Sequence, residues 1–249
     1  MLTCKHPIMA MELLRKIGAM HYVIPELEET YSMTQNEYHF GTVWEHTMMV
    51  LEGTKDDNMI LRISALLHDI GKIRVCTEED GKIHFLKHEL KSGEMIDELL
   101  RPLKFSNEII KEVTFLVRNH MICKTWGSEC EYMKDKKLRR FQYECKTEER
   151  FRNLMTIIDA DNNAYAADKC IPKQVEFILS RTEAMKAEGS AMFGYKLPLT
   201  GKEIMDLKGI KPGSAVKECL DYLMKIAFVN PLRKKEEFVK HLLGYRLQK

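Results

Sequence analysis

The chain has 249 residues, of which 45% are hydrophobic and 31% charged, and its formal net charge is only +2. This composition can form a substantial core, which excludes a disordered chain, and the near-neutral charge means that any nucleic-acid-binding patch must be local. The sequence contains no signal peptide and no uninterrupted apolar run long enough to span a membrane. We therefore predict a cytoplasmic protein that makes no membrane contact.

Helical spacing of apolar residues dominates the sequence, and alternating strand patterns are scarce. The predicted helices cover roughly residues 8–19, 42–53, 58–69, 84–101, 106–120, 135–142, 148–168 and 172–187. The segment 74–85, with Glu79, Asp80 and Gly81 at its centre, is compatible with a short hairpin or an irregular loop, and we favour the loop. The fold class predicted from this pattern is all-α.

A change in composition near residue 190 predicts the domain boundary. Residues 188–200 include Gly189, Gly194 and Pro198 and show little periodicity. We predict a main domain at 1–192, which includes an N-terminal helical segment at 1–36, and a small helical tail at 193–249. Within the tail, the turn at 211–213 is expected to lead into a helix at about 214–228.

Seven cysteines are present, an odd number without CxxC spacing, which favours free thiols in a reducing compartment. Histidines and aspartates, rather than cysteines, have the positions of metal ligands. Six such residues fall on the inward faces or at the ends of predicted helices: His46, His68, Asp69, His88, His120 and Asp161.

Helical spacing is the reason to place these six side chains inside. His46, for example, comes three residues after Val43 and four before Val50. A single inward histidine is more often a hydrogen-bonded core residue than a ligand. A buried carboxylate, however, must be paired, protonated or bound to a cation, and imidazole with carboxylate is a common ligand set. The six together therefore predict a metal site.

Two neighbouring residues could be mistaken for members of this set. His84 lies one helical turn before His88, and we interpret it as a solvent-facing or rim histidine. Asp159 lies two residues before Asp161, so the two side chains should point in nearly opposite directions from one helix. We assign Asp161 to the site and leave Asp159 and His84 out.

The motif LLHDIGK at residues 66–72, preceded by EHTMMVLEG at 45–53, resembles the HD superfamily of metal-dependent phosphohydrolases. Later segments, in order HFLKHELKSGEMIDELLRPLKFSN, VRNHM, MKDKKLRRF and LPLTGKEIMDLKGIKPGSAV, resemble the HD-containing carboxyl half of bacterial CCA-adding tRNA nucleotidyltransferases and poly(A) polymerases. This resemblance covers most of residues 37–245. It implies an HD-domain helical bundle followed by a small tail like the C-terminal region of the transferases.

The resemblance also implies how the ligands are used. The residues that match the four ligands of one metal are His46, His68, Asp69 and Asp161, while His88 and His120 match two further histidines of members with two metals. We predict two divalent transition-metal ions bridged by Asp69, with a metal-activated hydroxide attacking phosphorus. Iron or manganese is favoured, and nickel, cobalt and zinc are also accepted by such ligands. The alternative is a single ion, with His88 and His120 binding the substrate phosphate.

Four basic residues are candidates for binding substrate. Lys72 follows the His-Asp pair by three residues and could contact a phosphate, which also makes it a catalytic candidate beside Asp69, or it could be a solvated helix-end lysine. Arg118 could contact substrate or lie exposed on its helix. Arg139 and Arg140 belong to the densest basic run of the chain, which consists of Lys134, Lys136, Lys137, Arg139 and Arg140.

That basic run has two interpretations. It lies where the related transferases carry a similar run, which makes it a candidate contact for an RNA backbone. It could equally be a solvated helix face, because Glu144, Glu148 and Glu149 follow it closely and no aromatic ladder interleaves it.

The resulting functional prediction is a metal-dependent phosphohydrolase that acts on phosphomonoester or cyclic phosphodiester bonds of nucleotides, other phosphorylated small molecules or RNA ends. Only 36 residues precede the resemblance, so we expect neither the polymerase head of the transferases nor nucleotide addition. The alternative is a non-catalytic module that binds tRNA or a protein partner. A separate nucleotidyltransferase chain is a third candidate, as a partner that this protein would complete.

Overall fold

The structure is a computed structural model that describes residues 2–36, 41–54, 58–127, 130–165, 170–171 and 173–247. The helices and strands of the first part of the chain are α1 (Pro7–Lys16), α2 (Met20–Val23), α3 (Glu26–Glu29), α4 (Val43–Gly53), α5 (Met59–Leu67), α6 (Lys72–Val75), β1 (Thr77–Glu79), β2 (Lys82–His84), α7 (His88–Leu100) and α8 (Asn107–Asn119). A 3-10 helix (Ile122–Trp126) follows, then α9 (Asp135–Cys145), α10 (Glu148–Asn163), α11 (Lys173–Ala187), α12 (Gly201–Lys208), α13 (Ser214–Val229) and α14 (Lys235–Gly244). The all-α class is confirmed.

The preference for a loop between residues 74 and 85 is wrong, because this segment contains the last residues of α6 and an antiparallel hairpin. Thr77 pairs with His84 in the register of β1 and β2. Asp80 and Gly81 connect the strands with φ angles of 50° and 71°. Two consecutive positive φ angles suit a tight turn between twisted strands, and Asp-Gly is a favoured sequence for it.

Side-chain caps begin several helices where the sequence predicts a helix start. At α4, Thr42 and Glu45 form a reciprocal capping box, and Asn58 accepts bonds from the first backbone N–H groups of α5. The helix predicted for 148–168 ends at Asn163, and its predicted residues 166–168 lie outside the described residues. The remaining predicted helices differ from the observed ones mainly at their ends.

The chain divides into two compact units. Unit 1 consists of Met1–Glu131 and Arg152–Glu176, and unit 2 of Tyr132–Phe151 and Phe177–Lys249. This division differs in its bounds from the predicted domains 1–192 and 193–249, which stay a proposal.

In unit 1, α8 packs against both α7 and α5, and α5 packs against α4. The apolar faces of these helices supply a core that includes Val50, Leu67, Ile96, Val113 and Val117, all at most 1% exposed. In unit 2, α13 packs against α9, α12 and α14 around a core that includes Leu223 and Phe238. None of the described helices is both long and apolar enough to cross a membrane.

Candidate metal centre

The six predicted ligands come from five separate stretches of unit 1. His46 lies in α4, His68 and Asp69 directly follow α5, and Asp161 lies in α10. His88 is the first residue of α7, and His120 directly follows α8. All six are buried, with exposed fractions between 0% and 7%.

A close approach of two backbones brings His68 and Asp69 next to the start of α7. The N–H of Gly71 donates to Ser92 Oγ at 2.8 Å. A Cβ atom at position 71 would lie 2.4 Å from the backbone nitrogen of Ser92 and 2.6 Å from the carbonyl oxygen of His88. Glycine is therefore required here by the space between the two segments.

One ring nitrogen of each histidine is bonded to a backbone carbonyl. The Nδ1 distances are 3.2 Å from His46 to Ala164 O, 2.8 Å from His68 to Ala65 O, 2.9 Å from His88 to Phe85 O and 2.7 Å from His120 to Val117 O. A carbonyl oxygen only accepts, so Nδ1 must be the donor in each ring. In a neutral ring Nε2 then carries a lone pair, which is the form in which imidazole binds a metal.

These Nε2 atoms meet in two pairs. His46 Nε2 lies 3.3 Å from His68 Nε2, and His88 Nε2 lies 3.3 Å from His120 Nε2. Two lone pairs at this distance repel each other unless a proton or a cation lies between or beside them. The donor set therefore has a structural reason to hold positive charge.

Asp69 lies between the two pairs and turns one oxygen toward each. Its Oδ2 is 3.4 Å from His46 Nε2 and 3.2 Å from His68 Nε2. Its Oδ1 is 3.1 Å from His88 Nε2 and 3.7 Å from His120 Nε2.

Asp161 adds a second carboxylate to the first pair, with Oδ1 3.2 Å from His46 Nε2. Two overlapping groups of three, His46–His68–Asp161 and His68–Asp69–His120, bring one donor atom from each member within 4.8 Å of one another. Imidazole and carboxylate donors at this spacing fit a divalent cation.

Neighbouring cations keep both buried carboxylates ionised. Burial alone would raise the pKa of Asp69, but His68 and Lys72 outweigh it and hold that pKa well below its usual range. Burial opposes ionisation of Asp161 in the same way, and Lys124 is the largest cause that lowers its pKa well below the usual range. Both side chains therefore offer the charged form that a metal needs.

The two histidines with resolved shifts respond in opposite directions. Burial disfavours a charge on His68, yet the nearby Asp69 carboxylate outweighs it and raises the pKa. Burial and repulsion from His68 and His88 lower the pKa of His120 to about 3. A neutral His120 at physiological pH is suited to ligation.

Lys72 is buried at the centre, with only 1% of its surface exposed, so its interpretation as a solvated helix-end lysine is wrong. Its Nζ lies 2.7 Å from Asp69 Oδ2 and donates to Gln35 Oε1 at 2.7 Å. An ammonium placed this way neutralises and orients the carboxylate that lies between the histidine pairs.

The predicted arginines lie in different surroundings. Arg118 is exposed on α8 and lines an open cavity of about 490 Å³ with residues of α7. Arg140 is exposed and bonds to Glu144 within α9. Arg139 differs from the surface residue that RNA contact requires: it is 8% exposed, and its guanidinium donates to the carbonyl oxygen of Val229 at 2.9 Å.

The two residues left out of the ligand set have different surroundings from it. His84 is half-buried at the end of β2, and Asp159 is half-buried on α10, whereas Asp161 is 2% exposed. Sequence reasoning missed Lys124 and Gln35, which contact Asp161 and Lys72. Lys124 follows His120 by four residues, a helical spacing that could have indicated it.

Comparison with known proteins agrees with this geometry. A model of the HD domain family matches residues 36–165, just over half of the chain. The A-adding tRNA nucleotidyltransferase of Deinococcus radiodurans is 27% identical over 214 residues, which cover 83% of this chain and 47% of that protein. The CC-adding tRNA nucleotidyltransferase of Thermus thermophilus is 27% identical over 246 residues, 95% of this chain and 52% of that protein.

A multifunctional CCA protein of Paraburkholderia phymatum is 32% identical over 120 residues, 47% of this chain and 28% of that protein. The chain spans about half the length of the first two relatives. The resemblance to tRNA nucleotidyltransferases is thus confirmed as homology over most of the chain. With a family model that covers its buried histidine and aspartate cluster, the chain belongs to the HD domain family.

Proposed function

We propose that this chain is a metal-dependent phosphohydrolase that acts on phosphomonoester or cyclic phosphodiester bonds of nucleotides or RNA ends. The observation that supports it best is the position of Asp69, whose two oxygens face two separate histidine pairs. A carboxylate between two sets of donors can offer one oxygen to each of two divalent ions. Membership of the HD family adds support, because this superfamily contains metal-dependent hydrolases.

In this proposal each ion has its own ligands. One would be held by His46, His68, Asp161 Oδ1 and Asp69 Oδ2, and the other by His88, His120 and Asp69 Oδ1. Bound divalent ions would lower the pKa of a coordinated water and offset charge on the phosphoryl oxygens. Iron or manganese is the proposed metal, and nickel, cobalt and zinc are also compatible with mixed imidazole and carboxylate ligands.

The protein's own residues supply orientation. The Nδ1 bonds to backbone carbonyls fix each imidazole ring and keep its Nε2 toward the centre. Lys72, whose ammonium also donates to Gln35, holds Asp69, so that its two oxygens stay directed at the two histidine pairs. The buried surroundings exclude bulk water from the ligands, which strengthens every electrostatic interaction among them.

The first test is metal content together with activity. Protein purified without chelators and without a histidine tag should contain about two metal equivalents per chain, by the ligand count, and should hydrolyse members of a panel of nucleotides, cyclic nucleotides and phosphorylated RNA ends. His68→Ala should lose metal and activity, whereas His84→Ala, a half-buried histidine outside the cluster, should keep both. A loaded wild-type protein that leaves the whole panel untouched would contradict the proposal. One equivalent with activity would favour a single ion, with His88 and His120 binding phosphate.

The comparisons support a second candidate, a non-catalytic module that binds tRNA, because the relatives that cover most of this chain are named tRNA nucleotidyltransferases. It predicts salt-sensitive tRNA binding that His68→Ala leaves unchanged. Arg140→Ala should weaken that binding and reduce the salt dependence by about one phosphate contact. Copurification from the native host would reveal a separate nucleotidyltransferase chain, the proposed protein partner.

A further inference from the structure

Lys124 is a second lysine beside the ligand cluster, by which we mean the six proposed ligands His46, His68, Asp69, His88, His120 and Asp161. It belongs neither to the sequence motifs nor to the proposed ligand set. Its ammonium lies 3.2 Å from Asp161 Oδ2 and donates to Asn162 Oδ1 at 2.8 Å. It also lies 4.1 Å from the centre of the Tyr165 ring, within the range of a cation–π contact. Three different groups thus hold one positive charge beside the metal ligands.

A buried amide network fixes the backbone that carries this lysine. Gln174 is fully buried and its Nε2 donates to the carbonyl oxygens of Cys123 and Gly127, on either side of Lys124 in the chain. Asn162 is also fully buried and donates to Gln174 Oε1 at 3.2 Å. The 3-10 turn and α10 are therefore joined through buried amide side chains, and this keeps Lys124 in place.

The two lysines of the site contact their carboxylates differently. Lys72 contacts Asp69 Oδ2, an oxygen that faces His46 and His68. Lys124 contacts Asp161 on Oδ2, whereas the oxygen that faces His46 is Oδ1. Asp161 can therefore bind a cation through Oδ1 while it keeps Lys124 on Oδ2.

The two lysines also differ in their access to solvent. The Lys72 side chain is 2% exposed and that of Lys124 is 18% exposed, so Lys124 is the more accessible of the two lysines. Asp161 Oδ2 has no hydrogen bond of good geometry among the described residues, so Lys124 approaches it as a charge and not as a fixed donor. An ammonium has three donors, and one of them is used on Asn162.

We propose that Lys124 is a substrate-binding residue, whose ammonium donates to a non-bridging oxygen of a phosphate placed at the metal ions. The inference rests on the proposed phosphohydrolase function. It specifies an anionic phosphoryl group as the part of the substrate that the protein itself recognises. Lysine binds phosphate as a point charge with rotatable donors, which suits a phosphoryl group that changes geometry during reaction.

The test uses inorganic phosphate as the probe and the manganese-loaded protein. Isothermal titration calorimetry should show phosphate binding to the wild type and a roughly 10-fold to 100-fold weaker affinity for Lys124→Met, as expected when a hydrogen bond to a charged group is lost. Methionine keeps the packing on Tyr165, and Lys124→Arg should restore most of the affinity. The matched control is Lys111→Met, a change at an exposed lysine of α8, which should bind phosphate as the wild type does.

Metal content of each variant separates the interpretations. If Lys124 binds phosphate and not metal, all three variants should retain the wild-type number of ions. Unchanged phosphate affinity in Lys124→Met, loss of metal from that variant, or a loaded wild type that binds no phosphate would each overturn it. If phosphate binds through Lys124 but no substrate is hydrolysed, the proposed function fails and this inference stands.

Discussion

A single glycine sets the distance between the segment that carries His68 and Asp69 and the helix that begins at His88. Gly71 has no Cβ, which leaves room for the backbone of Ser92 and the carbonyl of His88. Both obstacles are main-chain atoms, and they cannot rotate away as a side chain would. The geometry of the ligand cluster therefore depends on a residue that has no side chain and cannot itself bind a metal.

We expect Gly71→Ala to destabilise the protein by about 3 kcal/mol, the upper part of the usual range for overpacking. It should also lower metal affinity, because relief of the clash must move α7 away from the His68 segment. Chemical denaturation and metal titration measure the two effects. Gly244→Ala is the control, since a Cβ there meets no atom within 4 Å, and it should change stability by no more than about 0.5 kcal/mol. Equal midpoints for the two variants would refute the packing argument.

Asp135 and Arg181 give unit 2 a defined response to pH. Arg181 donates to both oxygens of Asp135, at 2.9 and 2.6 Å, and this bonding lowers the pKa of Asp135. A carboxyl whose pKa is lower in the folded state stabilises the fold above its unfolded pKa, about 3.9, and loses that contribution as the pH falls through the folded value.

Asp135→Asn should therefore reduce the free energy of unfolding by about 1 kcal/mol at pH 7, a modest value because the pair is partly exposed. The difference from the wild type should shrink as the pH falls below about 4, because the unfolded carboxyl then takes up a proton while the folded one, with its lowered pKa, is still ionised. Urea denaturation at pH 7 and pH 3 measures it. A difference that is the same at both pH values would mean that the side chain acts through packing and not through its charge.

The inward positions of the histidines followed from helical spacing, and their burial agrees with that prediction. Spacing could not give the contacts of Lys124, because they join a 3-10 turn to the end of α10 across 38 residues of sequence. It also missed the carbonyl partners that leave each Nε2 directed inward. For Arg139 it identified a basic residue but not its backbone acceptors on α13, which lie about 90 positions away.

At the scale of the elements, α4 is positioned by its first residues. The Glu45 N–H donates to Thr42 Oγ1 at 3.2 Å, and the Thr42 N–H donates to Glu45 Oε2 at 2.7 Å. This capping box lies one residue before His46. The same motif begins α12 in unit 2, where Thr200 and Glu203 make equivalent bonds at 3.3 and 2.8 Å. The two caps therefore provide a matched comparison.

Thr42→Ala and Thr200→Ala should each reduce the free energy of unfolding by about 1 kcal/mol, the usual effect of losing a side-chain cap. Only Thr42→Ala should also weaken metal binding, because of the two capped helices only α4 carries one of the proposed ligands, His46. Thermal denaturation of the metal-free proteins measures the change in stability, and metal titration of the folded proteins measures the change in metal affinity. Equal loss of metal affinity in both variants would show that the effect is global and not transmitted through α4.

Element types were more predictable than their internal pairing. Apolar spacing and caps located most helices, since both signals are local in sequence. The hairpin was missed because β1 and β2 are only three residues long and mostly exposed, which leaves no alternating burial pattern. Its Asp80-Gly81 turn was the one local signal that favoured strands.

At the scale of the whole molecule, the chain leaves unit 1 at Tyr132, returns to it at Arg152 and enters unit 2 again at Phe177. Composition cannot indicate such a path, because glycine and proline mark where a helix stops and not which helices pack together. The helices α9 and α13 are distant in sequence and pack against each other through their apolar faces. The predicted boundary near residue 192 was based on a local change in periodicity. The two compact units are instead defined by which helices pack together.

Metal binding should raise the stability of the whole protein. The ligand cluster is buried in unit 1 and contains two ionised carboxylates and two close pairs of Nε2 atoms, so an ion that binds there binds the folded state selectively. A ligand present at 100 times its dissociation constant adds about 2.7 kcal/mol to the free energy of unfolding. For a chain of this size that corresponds to a rise in Tm of about 5–10 °C.

Removal of metal with a chelator should therefore lower Tm by about this amount, and readdition of manganese or iron should restore it. Calorimetry or circular dichroism at several metal concentrations measures the effect, and Tm should rise with the logarithm of free metal. His68→Ala should melt at one temperature with or without metal, because it removes a donor from both groups of three. His84→Ala, with all six ligands intact, should keep the full shift. If the wild type melts identically with chelator and with metal, its native state does not bind these ions, and the cluster must be stabilised by protons and by its two lysines alone.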